Sequence, residues 1–312
     1  MAPPAGQALR YPHLGIKVNR IMKPVVEVVI VNYNAGQALS RCVQSVVCQQ
    51  EPSTVTIIDN ASTDDSISQL NSMSGHREAL TVIENSENPG FASAVNQAVR
   101  GLDEHVPYFL VLNPDCEMQP GSMTALRAAL DSNPRAALAG PTVIDRDGRP
   151  MRGTVRRFPD PWKSLLTFSG LWRLGRWMPA FSGVEMTAVA PAEISPVDAV
   201  SGACMLIRKA PFLEAGGMDE AYGLHCEDLD LMYRLNEQGH LCLFVPAARV
   251  FHQQGVSSRT RPLWVHWQKH LGMQRFFRKF QAENYILPVR WLVVAGIWSR
   301  FLLTLPLVFF SR

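Results

Sequence analysis

The chain has 312 residues, 47% of them hydrophobic, and a formal charge of +3. That length and apolar content can bury a substantial core in one large domain or two modest ones, and exclude a disordered or fibrous protein. The charge is regional: residues 145–178 carry eight Lys/Arg against three Asp/Glu, and residues 259–290 carry seven against one.

Residues 1–24 read as a loose leader, in which Pro3, Pro4, Pro12 and polar residues interrupt any signal-peptide core. The apolar, β-branched run VVEVVIVNY (25–33) predicts a buried strand of a parallel sheet. Leu39, Cys42, Val43, Val46 and Val47 then recur at helical spacing. VTIID (55–59) predicts a second strand, with Ser62 and Asp65 forming a capping-box pattern for the next helix. LTVIE (80–84) is a third strand, and Phe91, Ala94, Val95, Ala98 and Val99 repeat the helical spacing. YFLVLN (108–113) is a fourth. This alternation implies an α/β domain with a mostly parallel central sheet flanked by helices.

In such sheets ligands bind beyond the carboxyl ends of the strands. Four strands here end in polar clusters, VNYNAG (31–36), DNASTDD (59–65), ENSENPGF (84–91) and NPDC (113–116). Each alone is also an ordinary turn composition, but four at one rim favour a shared ligand. From about 141 to 196 the rhythm fails and Pro and Arg become frequent, as in an elaborated loop over the site or a membrane-facing insertion. VDAVSGACMLIRK (197–209) restores strand character, a Gly-rich loop leads into a helix that Gly239 can end, and LCLFVP (241–246) is another strand.

Residues 263–283 predict a basic, aromatic helix, and residues 286–310 an apolar tail interrupted by Pro288, Arg290, Arg300 and Pro306, which suits an interfacial or re-entrant anchor better than a single span. All seven Trp fall in or beside the two basic regions: Trp162, Trp172, Trp177, Trp264, Trp267, Trp291 and Trp298. Trp beside Arg and Lys fits a membrane interface, with aromatic packing under a solvated basic face as the alternative. The six cysteines form no CxxC pair, which points to reduced structural thiols.

Five residues carry the chemistry: Asp115 ending YFLVLNPD, Glu227, Asp228 and Asp230 in HCEDLDL, and His252 in RVFHQQG. A carboxylate past a buried strand suits a hard cation, which takes its remaining ligands from diphosphate and water. Acids opening a helix can supply a base or merely complement the helix dipole. A lone His makes a structural hydrogen bond more often than it binds metal.

The words VVIVNYNAG, IIDNASTDDS, ENPGFASAVNQA, LVLNPDCEMQPG, VSGACMLIRKAPFLEAGGMDEAYGLHCEDLDLMYRL and VFHQQGVSS, in this order over about 25–258, resemble glycosyltransferase family 2 enzymes of the GT-A fold, and among them bacterial rhamnosyltransferases. The resemblance implies an inverting, metal-dependent transferase with a Rossmann-like sheet. It implies nucleotide-sugar contacts from Asn32, Asn34, Asp59, Asn60, Asn88, Gly90, Phe91, Asn96, Asn113 and Asp115. Asp115 and His252 would hold Mg²⁺ or Mn²⁺, and Asn113, at the first position of the family's Asp-x-Asp word, leaves Asp115 as its charged ligand. Asp228 would be the base, with Glu227 orienting acceptor or loop and Asp230 structural. Ser257, Ser258 and Arg259 would close over the diphosphate.

The implied division is a leader (1–24), a catalytic domain (25–258) whose segment 141–196 faces acceptor or membrane, and a membrane-associating helical extension (259–312). The implied donor is dTDP-rhamnose, or a UDP-sugar such as UDP-galactofuranose, and the acceptor a lipid-linked glycan at the cytoplasmic face of the membrane. A non-catalytic nucleotide-sugar-binding membrane protein is the competing reading. No nucleic-acid-binding motif is present, and homo-oligomerisation stays open.

Overall fold

The computed structural model describes residues 25–51, 53–70, 80–172, 183–186, 190–253 and 261–310; the expected leader and the Ser257–Ser258–Arg259 word lie outside them. β1 (Val26–Asn32) is buried along its whole length, as an apolar run covered on both faces must be. α1 (Gln37–Val47) buries Leu39, Cys42, Val43 and Val46. β2 (Ser53–Asp59) pairs parallel with β1, and β3 (Leu80–Glu84) parallel with β2. β4 (Tyr108–Leu112) lies parallel on the other side of β1, after α3 (Phe91–Arg100). The expected Ser62 cap does not form. α2 (Ser66–Leu70) starts later, where Asp64 Oδ1 accepts the Ser66 amide, because the Ser62 hydroxyl is drawn toward Asp59 instead.

Beyond β4 the topology changes. β5 (Cys116–Met118), α4 (Ser122–Asp131) and β6 (Ala136–Ile144) lead into β7 (Val155–Arg156), α5 (Pro161–Ser169), β8 (Ser195–Val197) and β9 (Ala199–Val200). β10 (Cys204–Arg208) then inserts antiparallel between β4 and β6. After α6 (Lys209–Glu214) and α7 (Glu227–Glu237), β11 (Leu241–His252) pairs parallel with β6 and antiparallel with β5. The sheet order is β3-β2-β1-β4-β10-β6-β11-β5, with β8 on β11. The half built from β3, β2, β1 and β4 is wholly parallel, and the half beyond β10 is mixed. β11 runs past the predicted end because the register shifts between Val245 and Arg249, letting the strand continue beyond Pro246.

Two apolar layers cover the sheet. One joins Leu39 and Val43 of α1 to Leu126 and Leu130 of α4, and the other joins Val95 and Val99 of α3 to Phe212 of α6 and Leu231 and Leu235 of α7. In the second, Phe109 of β4 meets Phe212 edge-on with centroids 4.9 Å apart. All six cysteines are free thiols.

α8 (Pro262–Phe280) does not stand apart from this core: Phe276 and Phe277 are buried, and Phe276 joins the second layer. α9 (Leu287–Phe310) is one continuous helix, with Pro288 in its first turn and Pro306 inside it. Its stretch Leu287–Val308 has a mean hydropathy of 1.7, is unburied by the rest of the chain, and is long and apolar enough to cross a membrane. Pro288 in the first turn costs no backbone hydrogen bond, and the tail continues as one helix in spite of Pro306, which removes one near its C-terminal end.

Phe109 has no exposed surface. Phe109→Ala should therefore destabilise the fold by about 3–5 kcal/mol, read as a lowered denaturant midpoint.

Candidate active site

The carboxyl ends of β1 and β2 are laced together by side chains. Asn32, fully buried, places its amide nitrogen 2.6 Å from Asp59 Oδ1, 3.0 Å from Ser62 Oγ and 2.9 Å from Ser66 Oγ. The carbonyl Asn32 Oδ1 has no partner among the described residues. Asn34, at φ 52°, accepts the Thr63 and Asp64 amides on its side-chain oxygen, at 2.7 and 3.2 Å. Asn60 donates to Asn88 Oδ1 and Gly90 O, both at 3.3 Å, and accepts from Asn85 at 3.0 Å. Gly90, at φ 94°, precedes α3 and gives its amide to Asn88 Oδ1. These loops therefore form one hydrogen-bonded rim.

Asn96 and Phe91 differ from the nucleotide-facing role the resemblance implies. The Asn96 amide is fully engaged, donating to Met218 O and Glu220 Oε1 and accepting from Met218 N, at 2.8–2.9 Å. It ties α3 to the Gly-rich loop before α7. Phe91 packs against the second apolar layer.

Asp115 sits where a tight turn follows β4. Asn113 N donates to Ala203 O at 2.9 Å, and Cys116 N donates to Asn113 O at 3.1 Å. The antiparallel pairing of β11 with β5 places His252 opposite Cys116. It brings His252 Nε2 to 3.1 Å from Asp115 Oδ1, although 137 residues separate Asp115 from the other end of this arrangement's sequence span at His252. Both side chains are largely enclosed, at 13% and 9% exposure. Cys116 Sγ lies within 4.8 Å of these ligand atoms. Burial, and then the Asp115 charge, push its thiol well above its ordinary range, and a soft sulfur suits a hard cation less well than the Asp115 carboxylate does. One carboxylate and one imidazole fit a Mg²⁺- or Mn²⁺-type cation, which takes its remaining ligands from water and phosphate.

The acidic word opens α7 through two consecutive left-handed residues, His225 at φ 69° and Cys226 at φ 72°. Asn34 and Ala61 are the other non-glycine residues with positive φ among the described residues, so such backbone gathers at this rim. The sharp entry sets Glu227 and Asp228 at the start of the helix. Asp228 Oδ2 lies 2.5 Å from an Arg156 nitrogen, and its Oδ1 accepts the Leu229 amide at 2.8 Å. Burial favours the protonated acid, but the Arg156 charge and hydrogen bond outweigh it and hold Asp228 below the usual carboxylate range. Glu227 behaves oppositely. Burial, then the Asp228 charge, push it up to about 8, and its Oε2 has no partner among the described residues.

Asp230 is fully buried and bonded to Arg234 and Lys279, each at 2.6 Å. Arg234 also binds the Ala215 and Gly217 carbonyls, and Lys279 and Arg275 bind Asp219 at 2.7 and 2.9 Å. This network fastens the Gly-rich loop, α7 and α8 together.

Two residues that sequence reasoning passed over complete the site. Arg156 comes from the Pro/Arg-rich segment, whose composition did not single it out. A Cβ on Gly202 would lie 2.7 Å from Asp228 Oδ2 and 2.9 Å from Asp228 Cβ, so only glycine lets Asp228 seat there. The VSGAC word, which recurs in the resemblance, was the available signal.

Residues 27–190 match the family described as Glycosyl transferase family 2. The N-acetylglucosaminyl-diphospho-decaprenol L-rhamnosyltransferase of Mycobacterium tuberculosis is 29% identical over 282 residues, covering 86% of this chain and 89% of that protein. Rhamnosyltransferase WbbL of Escherichia coli is 24% identical over 245 residues, covering 76% of this chain and 86% of the relative. Among solved structures, the mannosyltransferase PcManGT from Pyrobaculum calidifontis in complex with GDP-Man and Mn²⁺ superposes with a TM-score of 0.57 at 17% identity, over 92% of this chain and 72% of that one. GalNAc-T7 with UDP, GalNAc and Mn²⁺ gives 0.55 at 17% identity over 88% of this chain, which spans about half, 54%, of that structure's length. These structures share the α/β architecture with its central, mostly parallel sheet. With more than half of its length matched, the chain belongs to glycosyl transferase family 2 and is a glycosyltransferase of the GT-A fold.

Proposed function

We propose that this glycosyltransferase moves L-rhamnose, with inversion, from a nucleoside diphosphate onto a lipid-linked glycan at the cytoplasmic face of the membrane. The observation that carries the reading is the pair of distinct sites: the Asp115–His252 couple after β4, and Asp228 seated over Gly202 at the start of α7. The names of the two rhamnosyltransferase relatives support the sugar, and the diphospho-decaprenol in one of them supports the acceptor class.

In this reading Asn32 Oδ1, Asp59, Asn60, Asn88 and Gly90 form the rim that takes the nucleotide, with Asn34 and Asn96 holding its loops in place. Asp115 and His252 hold the cation, which when bound offsets the charge of the departing nucleoside diphosphate. Asp228 takes the proton from the acceptor hydroxyl as that oxygen attacks the anomeric carbon. Arg156 keeps Asp228 ionised and aimed, and protonated Glu227 is available as a hydrogen-bond donor to the acceptor. α8 and α9 bring the domain to the lipid surface, with Trp264 and Trp267 44% exposed and Trp291 71% exposed. We accordingly divide the chain into a catalytic unit over 25–258 and a membrane-associating extension over 259–312, with α8 docked on the former.

Transfer from dTDP-rhamnose and from UDP-sugars to a polyprenyl-diphosphate-linked N-acetylglucosamine tests the donor. Rhamnosyl product from dTDP-rhamnose alone is expected, and product from a UDP-sugar alone contradicts the donor assignment. Asp228→Asn should lower kcat by about 10²–10⁴-fold while leaving donor binding intact.

The wild-type base loses its charge only as pH falls below the usual carboxylate range, so Asp228 itself should not limit activity in mild acid. Arg156→Gln leaves burial unopposed and raises the Asp228 proton affinity, moving the acid limb of the kcat/KM profile to higher pH. Asp115→Ala should abolish metal-dependent donor binding in calorimetry, where full retention of Mn²⁺-dependent binding would exclude Asp115 as a ligand.

A further inference from the structure

The face of α8 beside the base carries cations without counter-charges. Lys269 keeps side-chain surface open to solvent, yet burial pulls its ammonium below its ordinary range, and it has no carboxylate at ion-pair distance among the described residues. After burial, the neighbouring charges of Arg300, Arg152 and Arg156 act on it in the same direction. Arg156 is matched by Asp228, but among the described residues Arg300 is held only by neutral groups. His270 Nδ1 lies 2.8 Å from the His266 carbonyl and therefore carries the hydrogen, which leaves Nε2, 3.2 Å from Arg300, as a lone-pair acceptor. Burial holds His270 down at about 4, so this ring stays uncharged. Arg152 is exposed and lies 5.7 Å over the Trp172 ring.

The contrast along the same helix is informative. Arg275 and Lys279 are matched by Asp219 and Asp230, and they line an open groove of about 580 Å³ against Tyr222 and Gly223. In that groove Arg275 and Lys279 have carboxylate partners and Arg278 has none among the described residues, whereas on the face beside the base neither Lys269 nor Arg300 has one. The face also abuts the chemistry. A Cβ on Gly272 would lie 2.8 Å from the His225 carbonyl and 3.3 Å from Cys226 Sγ, so the helix runs directly against the entry to α7. On the other side, Arg300 belongs to α9, a mostly apolar helix that also carries Arg290 and packs one face against α8 through Trp298 and Phe301. An anion at this place has a lipid-facing helix on one flank and the candidate base on the other.

We propose that Lys269 and Arg152, with Arg300 behind them, bind the diphosphate of the lipid-linked acceptor, so that its hydrocarbon lies along α9 while its sugar hydroxyl reaches Asp228. This rests on the reading of the enzyme as a transferase to a lipid-linked acceptor. Ammonium and guanidinium groups without carboxylate partners are the donors that a diphosphate requires, and a cation set back on a mostly apolar helix favours a phosphate at the membrane surface over a soluble one.

The test is sedimentation of the full-length protein with phosphatidylcholine vesicles carrying either undecaprenyl diphosphate or phosphatidylglycerol at matched charge, without donor. The wild type is expected to bind the diphosphate vesicles more tightly. Lys269→Gln should cut that preference roughly tenfold and Lys269→Gln with Arg152→Gln roughly 100-fold, from the worth of one charge-assisted hydrogen bond to a phosphate for each residue. Arg278→Gln, exposed on the same helix, should keep it. Equal binding to the two vesicle types, or an unchanged preference in the Lys269→Gln protein, overturns the proposal. Because no donor is present, a protein that shows the preference but transfers no sugar contradicts the proposed function alone; one that transfers sugar without the preference contradicts this inference alone.

Discussion

The antiparallel seating of β10 on β4 is the constraint on which the site depends. It hydrogen-bonds Asn113 to Ala203, and so ties the turn that carries Asp115 to the VSGAC segment. The next residue back, Gly202, is the surface on which Asp228 rests. A short, fully paired stretch of backbone thus relates the candidate metal ligand to the candidate base, and a single missing Cβ permits the approach. The pairing of β11 with β5 does the same for His252, setting it against Asp115. Precision here comes from sheet register, which cannot slip without turning every buried side chain to the wrong face.

The electrostatics divide the acids by task. Arg156 keeps Asp228 charged, whereas burial beside that charge keeps Glu227 protonated near neutral pH. Two adjacent carboxyl groups therefore offer one acceptor and one donor of a proton. An ion-paired carboxylate is a weaker base than a free one, so the arrangement exchanges proton affinity for assured ionisation and fixed aim. Asp230, next but one in the chain, is spent on structure: its pairs with Arg234 and Lys279 fix the loop and α8 around the site.

The parallel half of the sheet was legible because its strands are continuous apolar runs and its helices repeat at 3.6 residues, as Leu39, Cys42, Val43 and Val46 show. The reversal at β10 was not, since an apolar run such as CMLIR carries no mark of its direction. The extension of β11 past Pro246 was hidden for a related reason: a register shift rescues a residue that ordinarily ends a strand. Among site residues, Asp115, Asp228 and His252 stood out by type and by neighbouring words. Arg156 did not, because one arginine in an Arg-rich segment is distinguished only by what it touches. The resemblance implied a nucleotide-pocket role for Asn96, yet its hydrogen-bonding capacity is consumed by Met218 and Glu220, a tertiary fact with no local signature.

The central claim is that leaving-group stabilisation and acceptor activation belong to two sites joined by the β4–β10 backbone. Calorimetry of nucleotide-sugar binding with Mn²⁺, run beside a transfer assay on Gly202→Ala, tests it most directly. The added methyl should displace Asp228 and abolish transfer, with metal-dependent donor binding retained. Loss of donor binding together with transfer, or undiminished transfer, would contradict the division.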